Sequence, residues 1–216
     1  MSNITVYGLL RSPFARKCCM YLREKALPYS NIPYTPRQFT PEDRKHSPLG
    51  KVPFAQIDGK WLADSSVICA YIEKLHPTPA LYPANPWDYA RALWFEEFFD
   101  GGAAPKLIST IFYERFIKPK FLQQTTDEAK VKAAIDNDMP GIYSYLDAEI
   151  GNNNHFVANT QTIADVTAAA FFVNMQMVDC APNADRYPNL SRYLEYQHSR
   201  PAIAAILEEE TAGAAA

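Results

Sequence analysis

The sequence predicts a two-part chain: an α/β unit over residues 1–77, a linker over 78–87, and an all-helical part over 88–216. Three observations carry this reading. Strand-like and helix-like segments alternate as far as residue 76. A proline-rich stretch, "PTPALYPANP" from Pro77 to Pro86, then breaks the pattern. Beyond it, every patterned segment has helical spacing.

The elements follow in order. "ITVYGLL" is rich in β-formers and predicts a strand. Ser12-Pro13 matches an N-cap followed by proline at the first helical position, and Phe14, Cys18 and Leu22 recur at helical spacing behind it. Leu27-Pro28 ends that helix. "YSNI" is a weak second strand, crowded by prolines. "VPFAQI", Asp58-Gly59 and "KWLA" predict a hairpin with a tight turn. "DSSVICAYIEKLHP" supplies capping residues, an amphipathic helix and a terminating proline. After the linker, "WDYARALWFEEFF", "DEAKVKAAIDNDMPGIYSYLDAEI", "TIADVTAAAFFVNMQMV" and "LSRYLEYQHSRPAIAAIL" are helical, and the tail "ETAGAAA" is expected to fray. Strand, helix, strand, hairpin, helix is the element order of a thioredoxin-type unit.

Composition narrows the function. The 216 residues, 48% hydrophobic and 21% charged, can build a substantial core. No apolar run is long enough to span a bilayer, and "MSNITVYG" carries no secretory pattern, so the cytoplasm is expected. The four cysteines form no C-x-x-C pair, and the four histidines, His46, His76, His155 and His198, have no ligand spacing; neither a disulfide framework nor a metal is expected. Residues 1–60 hold ten Lys/Arg against four Asp/Glu, within a net charge of -3 for the chain. No dense basic stripe suggests nucleic acid, but a basic N-terminal part suits a small anionic ligand.

"LLRSPFARKCC" has the form of the turn-into-helix of a thiol redox protein with both thiols missing. Ser12 stands where the attacking cysteine would be, and Ala15 where the second would be. "SPFARK", "SPLGKVPFAQIDG", "LADSSVICAYIEKLHP", the proline linker and "TIADVTAAA" occur in an order that resembles the cytosolic glutathione S-transferases, above all their serine-type classes such as the plant tau class and bacterial relatives. The likeness covers nearly the whole chain. It implies a thioredoxin-like N-terminal domain, an α-helical C-terminal domain, a homodimer, and glutathione as co-substrate with no other cofactor.

Residue by residue, the resemblance implies that Ser12 is the catalytic hydroxyl. Glutathione's thiol has a free pKa near ~8.5. A hydroxyl donating to the sulfur, at a helix N-terminus, favours the anion; lowering that pKa by ~2 units takes roughly 2.7 kcal/mol. The nucleophile is then borrowed from the ligand. Val52-Pro53 matches the family's cis-proline turn, whose Val52 backbone pairs with the cysteinyl residue of glutathione. Asp64-Ser65 matches the acidic-serine pair at the γ-glutamyl end, and Lys51 and Gln38 are candidates at the glycyl end. Thr162-x-x-Asp165 matches a buried capping box, a matter of folding rather than chemistry. Without cysteine at position 12, thiol transfer and dehydroascorbate reduction are disfavoured, and Tyr7, inside the first strand, is not placed as the catalytic hydroxyl. A hydrophobic electrophile is expected between the domains, near Leu10, Phe14, Phe98, Phe99, Tyr113 and Phe116. A glutathione-dependent dehalogenase or isomerase, or a non-enzymatic ligand- or partner-binding member of the family, are the alternatives.

Overall fold

A computed structural model describes residues 2–214; the last two residues of the tail expected to fray, 215 and 216, lie outside these. Contacts divide the chain into two compact units, residues 1–82 with 199–216, and residues 83–198.

The first unit is built on a four-stranded sheet in the order β2-β1-β3-β4. β1 (Ile4–Tyr7) runs parallel to β2 (Ser30–Ile32) and antiparallel to β3 (Phe54–Ile57), which forms a hairpin with β4 (Lys60–Ala63). The hairpin turn places Asp58 at φ 48° and Gly59 at φ 80°. Two positive φ values in a two-residue loop match the right-handed twist of the strands, which is why Asp-Gly stands there. α1 (Pro13–Glu24) and α3 (Ser65–Leu75) pack together, with Cys18, Leu22, Ile68, Cys69 and Ile72 fully buried along with Val6, Phe54, Ala55 and Ile57 of the sheet. The short α2 (Asp43–His46) lies between β2 and β3.

The unit is completed from the far end of the chain. "LSRYLEYQHSRPAIAAIL" forms two helices, α8 (Pro188–Ser199) and α9 (Pro201–Ala214), because Pro201 opens a new first turn. By contacts, the helix that follows Ser199 groups with the first unit, because α9 packs on α1. Ile203 and Ile206 are fully buried. Arg16, 0% exposed, makes a two-pronged pair with Glu210, both contacts 2.8 Å. Arg200 holds Glu24 at 3.0 and 2.8 Å, and Arg23 pairs with Glu209. Glu210, the first residue of the tail, is thus anchored to the first unit.

The second unit is helical throughout. α4 (Pro86–Glu97), capped by the Asn85 side chain, continues as a wider π-type helix over Phe98–Leu122. Gly101, Gly102 and Pro105 lie within it, residues that on their own would stop a helix; buried Ala103, Ala104, Leu107 and Ile111 hold the segment through packing. α5 (Glu128–Ala133), a second π-type turn (Ala134–Asp138) and α6 (Met139–Ile150) follow. α7 (Ile163–Gln176) is the axis of the unit, with every residue from Ile163 to Met175 buried. A helix apolar on all sides needs neighbours on all sides, and α4 and the π-type helix supply them. Among the described residues, no helix is long and apolar enough to cross a membrane.

Candidate functional site

Strand register brings the predicted residues of the first unit together. Tyr7 lies opposite Phe54, and Phe54 opposite Ala63. The next positions in the three chains, Gly8, Pro53 and Asp64, therefore leave the same end of the sheet. From there the chain enters α1 at Ser12, the Val52-Pro53 turn, and α3 at Ser65. Three segments, the first two about forty residues apart and the last two about thirteen, reach one site because adjacent strands hold their ends level.

Gly8 sets how closely they meet. A Cβ built on it would stand 2.7 Å from the Ala15 Cβ, 3.6 Å from the Val52 Cβ and 3.8 Å from the Pro53 Cα. The end of β1, the first turn of α1 and the Val52-Pro53 turn can approach this far only over a residue without a side chain. Gly8→Ala is expected to cost about 1–3 kcal/mol, as overpacking does, and to weaken ligand binding at the site. Urea unfolding of the variant checks this, and a loss below about 0.5 kcal/mol would show that the turn yields freely.

Ser12 is half-buried at the N-cap of α1, with extended backbone (φ -75°, ψ 122°). Its Oγ accepts from the Ala15 N–H at 3.4 Å. Its own proton is donated to no group among the described residues, and no acidic residue occupies the first turn of α1. The helix start therefore offers an unused hydroxyl and uncompensated positive potential. The Val52-Pro53 peptide is cis, with Val52 half-buried and Pro53 buried. The turn is tied from below by Ser47, whose Oγ donates to the Lys51 carbonyl at 2.8 Å.

At the start of α3, Asp64 adopts φ 79°, outside the region most residues favour. Its Oδ1 accepts from the N–H groups of Ser66 (2.9 Å) and Val67 (3.4 Å), so the carboxylate caps its own helix. The second oxygen makes no hydrogen bond to described residues, and Asp64 is exposed. Ser65 is 3% exposed; its carbonyl accepts from Cys18 Sγ at 3.8 Å, while its hydroxyl has no protein partner among the described residues.

The remaining candidates divide. The Lys51 side chain is exposed. Gln38 is also exposed, but its Oε1 is taken by the Thr35 N–H (2.8 Å) and Thr35 hydroxyl (3.0 Å), closing the turn Pro36–Gln38. Leu10 and Phe14 are half-buried on either side of Ser12 in sequence. In the second unit Tyr113 is 37% exposed and Phe98 half-buried against Tyr145. Phe99 cannot line a pocket as expected: it is 0% exposed, within 6.4 Å centroid distance of Phe156, Phe171 and Phe172, and belongs to the core. Phe116, 5% exposed and stacked on Phe112 at 4.9 Å, is similarly occupied. Aromatics spaced along a helix do not announce which of them the fold needs inside.

The cysteines are free and buried. Burial pushes the Cys18 thiol well up and that of Cys19 up to about 12. Neither presents a thiolate. One residue escaped sequence reasoning: Gly8, visible only as a glycine at a strand end.

Comparison with known proteins assigns both halves of the chain to one family. Residues 6–80 match the glutathione S-transferase N-terminal domain, and residues 112–210 the C-terminal domain of the same family. The chain is 28% identical over 198 residues to an uncharacterized GST-like protein, YibF, of Escherichia coli (strain K12), covering 91% of this chain and 95% of that one. It is 41% identical over 73 residues to glutathione S-transferase DHAR2 of Arabidopsis thaliana, 32% of either chain. Among solved structures, a glutathione S-transferase from Rhodospirillum rubrum F11 superposes with a TM-score of 0.86 at 23% identity, over 94% of this chain and 91% of that one, a likeness of fold.

Proposed function

The chain belongs to the glutathione S-transferase family, and from that premise we propose that it binds glutathione in the first unit and ionises its thiol against Ser12 for attack on a hydrophobic electrophile. The observation that carries the reading is the unused Ser12 hydroxyl at an α1 start free of acidic residues. A sulfur placed there receives the hydroxyl proton as a hydrogen bond and sits in the positive potential of the helix. Both favour thiolate over thiol.

The rest of the tripeptide follows the three segments. The cysteinyl backbone pairs with the backbone N–H and C=O of Val52, as an added strand would. The γ-glutamyl end meets the start of α3, its ammonium at the second oxygen of Asp64 and its carboxylate at the buried Ser65 hydroxyl. Lys51 lies nearest in sequence to the turn and serves the glycyl carboxylate. Leu10 and Phe14, flanking Ser12, offer apolar surface to the electrophile. The thiolate forms the new carbon–sulfur bond, and the electrophile's leaving group departs with the bonding pair where substitution is the reaction.

The test compares wild type with Ser12→Ala, using glutathione and an aromatic chloronitro electrophile. Loss of ~2 units of thiol acidification corresponds to about a hundredfold fall in kcat/KM near neutral pH. The ultraviolet absorbance of bound thiolate, followed against pH, should shift upward by a similar amount. Equal rates and equal titrations would remove Ser12 from this role. Glutathione binding without turnover of any electrophile would favour a ligand-carrying member of the family.

A further inference from the structure

A second recess lies at the other end of α1 from Ser12, about 16 Å along the helix axis. It is an open cleft of about 970 Å³ within the first unit. One wall is the last turn of α1 with the loop after it, and the other is the early part of α9. Ala26 on the first wall and Ala202 and Ala205 on the second make its sides apolar and low. Arg23 and Glu209 pair across it, with side chains 41% and 46% exposed. The Arg23 guanidinium also stands 5.9 Å from the centre of the Tyr29 ring, which lines the same cleft. These groups play no part in the glutathione site proposed above.

Two features suit the cleft to a ligand. An ion pair this exposed gains little in water, so its two charges open to another partner at small cost. Ala26 is the second feature. It follows α1 at φ 51°, its N–H donates to the Arg23 carbonyl at 2.9 Å, and the next N–H, of Leu27, donates to the Leu22 carbonyl at 3.0 Å. Glycine is the usual residue at such a helix end, because a Cβ opposes the left-handed backbone. The chain therefore carries a methyl group where the backbone favours none, and that methyl group lines the cleft. We propose that this cleft binds a zwitterionic amino acid with a large apolar side chain. Arg23 receives its carboxylate, Glu209 its ammonium, and the side chain lies between Ala26 and the two alanines of α9. A head with both charges gives each member of the ion pair a new partner, whereas a head with one charge leaves the other member unpaired. The proposal stands on the cleft alone and is independent of the glutathione reading.

Calorimetry of the full chain with L-tryptophan, tryptamine (no carboxylate) and 3-indolepropionate (no ammonium) tests this. Tryptophan is expected to bind about tenfold more tightly than either single-charge probe, the order of one charge-assisted hydrogen bond. Arg23→Met should weaken tryptophan and indolepropionate about tenfold and spare tryptamine. Glu209→Gln should weaken tryptophan and tryptamine and spare indolepropionate. Ala26→Gly relieves the backbone, so the thermal midpoint should hold or rise while tryptophan weakens about fourfold, the share of one methyl group. A merely structural role would move stability and binding in the same direction. Absence of tryptophan binding, equal affinity for the three probes, or equal weakening of all three by a charge variant would each overturn the proposal. So would unchanged tryptophan affinity in Ala26→Gly. Excess glutathione should leave tryptophan in place, and displacement would put the probe in the glutathione site and overturn the cleft as its place.

Discussion

Glu73→Ala is expected to lower the unfolding free energy by about 3–5 kcal/mol, the range for stranding a buried charge. Glu73 is 9% exposed on α3 and serves four groups at once. Its Oε2 accepts from the Lys25 Nζ at 2.6 Å and from the Tyr21 hydroxyl, and its Oε1 accepts from the N–H groups of Leu81 (3.1 Å) and Tyr82 (3.4 Å). Lys25, 3% exposed, also donates to the Pro79 carbonyl at 2.6 Å. One carboxylate therefore ties α1 and α3 to the proline-rich linker, and Leu81 and Tyr82 are buried where it does so. Alanine leaves an ammonium, a phenol and two backbone donors without their acceptor. Lys25→Met alone removes the ammonium but leaves Glu73 its other donors, and should cost less. In the double variant the stranded ammonium is gone, so the combined loss should fall short of the sum by about 1–3 kcal/mol. Additive losses in urea unfolding would mean that the two groups do not act as a pair.

How far the sequence reveals this molecule depends on how local each cause is. Ser12-Pro13, Asp58-Gly59, Asp64 and Thr162-x-x-Asp165 act within four residues of themselves, and the structure has a cap, a two-residue turn, a cap and a capping box at those places. The end of a helical segment is less local. Beyond Phe99 the sequence presents two glycines and two prolines, yet the helix runs to Leu122 because its own alanines, leucine and isoleucines are buried by packing. Propensity lost there to burial. The placement of α9 on α1 was not legible at all. It depends on Arg16, Arg23 and Arg200 meeting Glu210, Glu209 and Glu24 across the full length of the chain, and no spacing rule joins partners so far apart.

The site divides along the same line. Each of its segments carries a short motif, so Ser12, Val52, Pro53, Asp64 and Ser65 could be named from the sequence. Sheet register and the bare Cα of Gly8 decide that the segments converge, and these appear only in three dimensions. Lys17 shows the same limit in charge. Arg16 and Lys17 are neighbours of one type in the sequence, and the fold turns one to a carboxylate of α9 and the other to a hydroxyl of α3. Helical spacing, about 100° per residue, separates their directions, but it does not say what waits at either end.

Asp165→Ala is expected to be as damaging to the second unit as Glu73→Ala is to the first, again about 3–5 kcal/mol. Asp165 is 0% exposed and lies in the first turn of the fully buried α7. Its Oδ2 accepts from the Thr162 N–H at 2.9 Å and the Thr162 hydroxyl at 3.2 Å. Its Oδ1 accepts from the Phe156 N–H at 3.0 Å and the Tyr193 hydroxyl at 2.9 Å. The carboxylate thus closes the capping box and fastens to it both the loop before α7 and the helix α8. His155 Nδ1 stands 3.6 Å from Oδ2 and adds a further positive contact whenever it is protonated. Asn is the discriminating replacement, because it keeps the volume of Asp but turns an acceptor into a donor. With all four groups donating inward, one amide edge must face donors, so Asp165→Asn should recover no more than about half the loss. Thr162→Ala, which removes one donor and one methyl group while leaving the carboxylate its other bonds, should cost only about 1 kcal/mol. Urea unfolding of the three variants ranks them. If Asn matches wild type, the site is held by shape, and the buried acceptor has no part in stabilising α7.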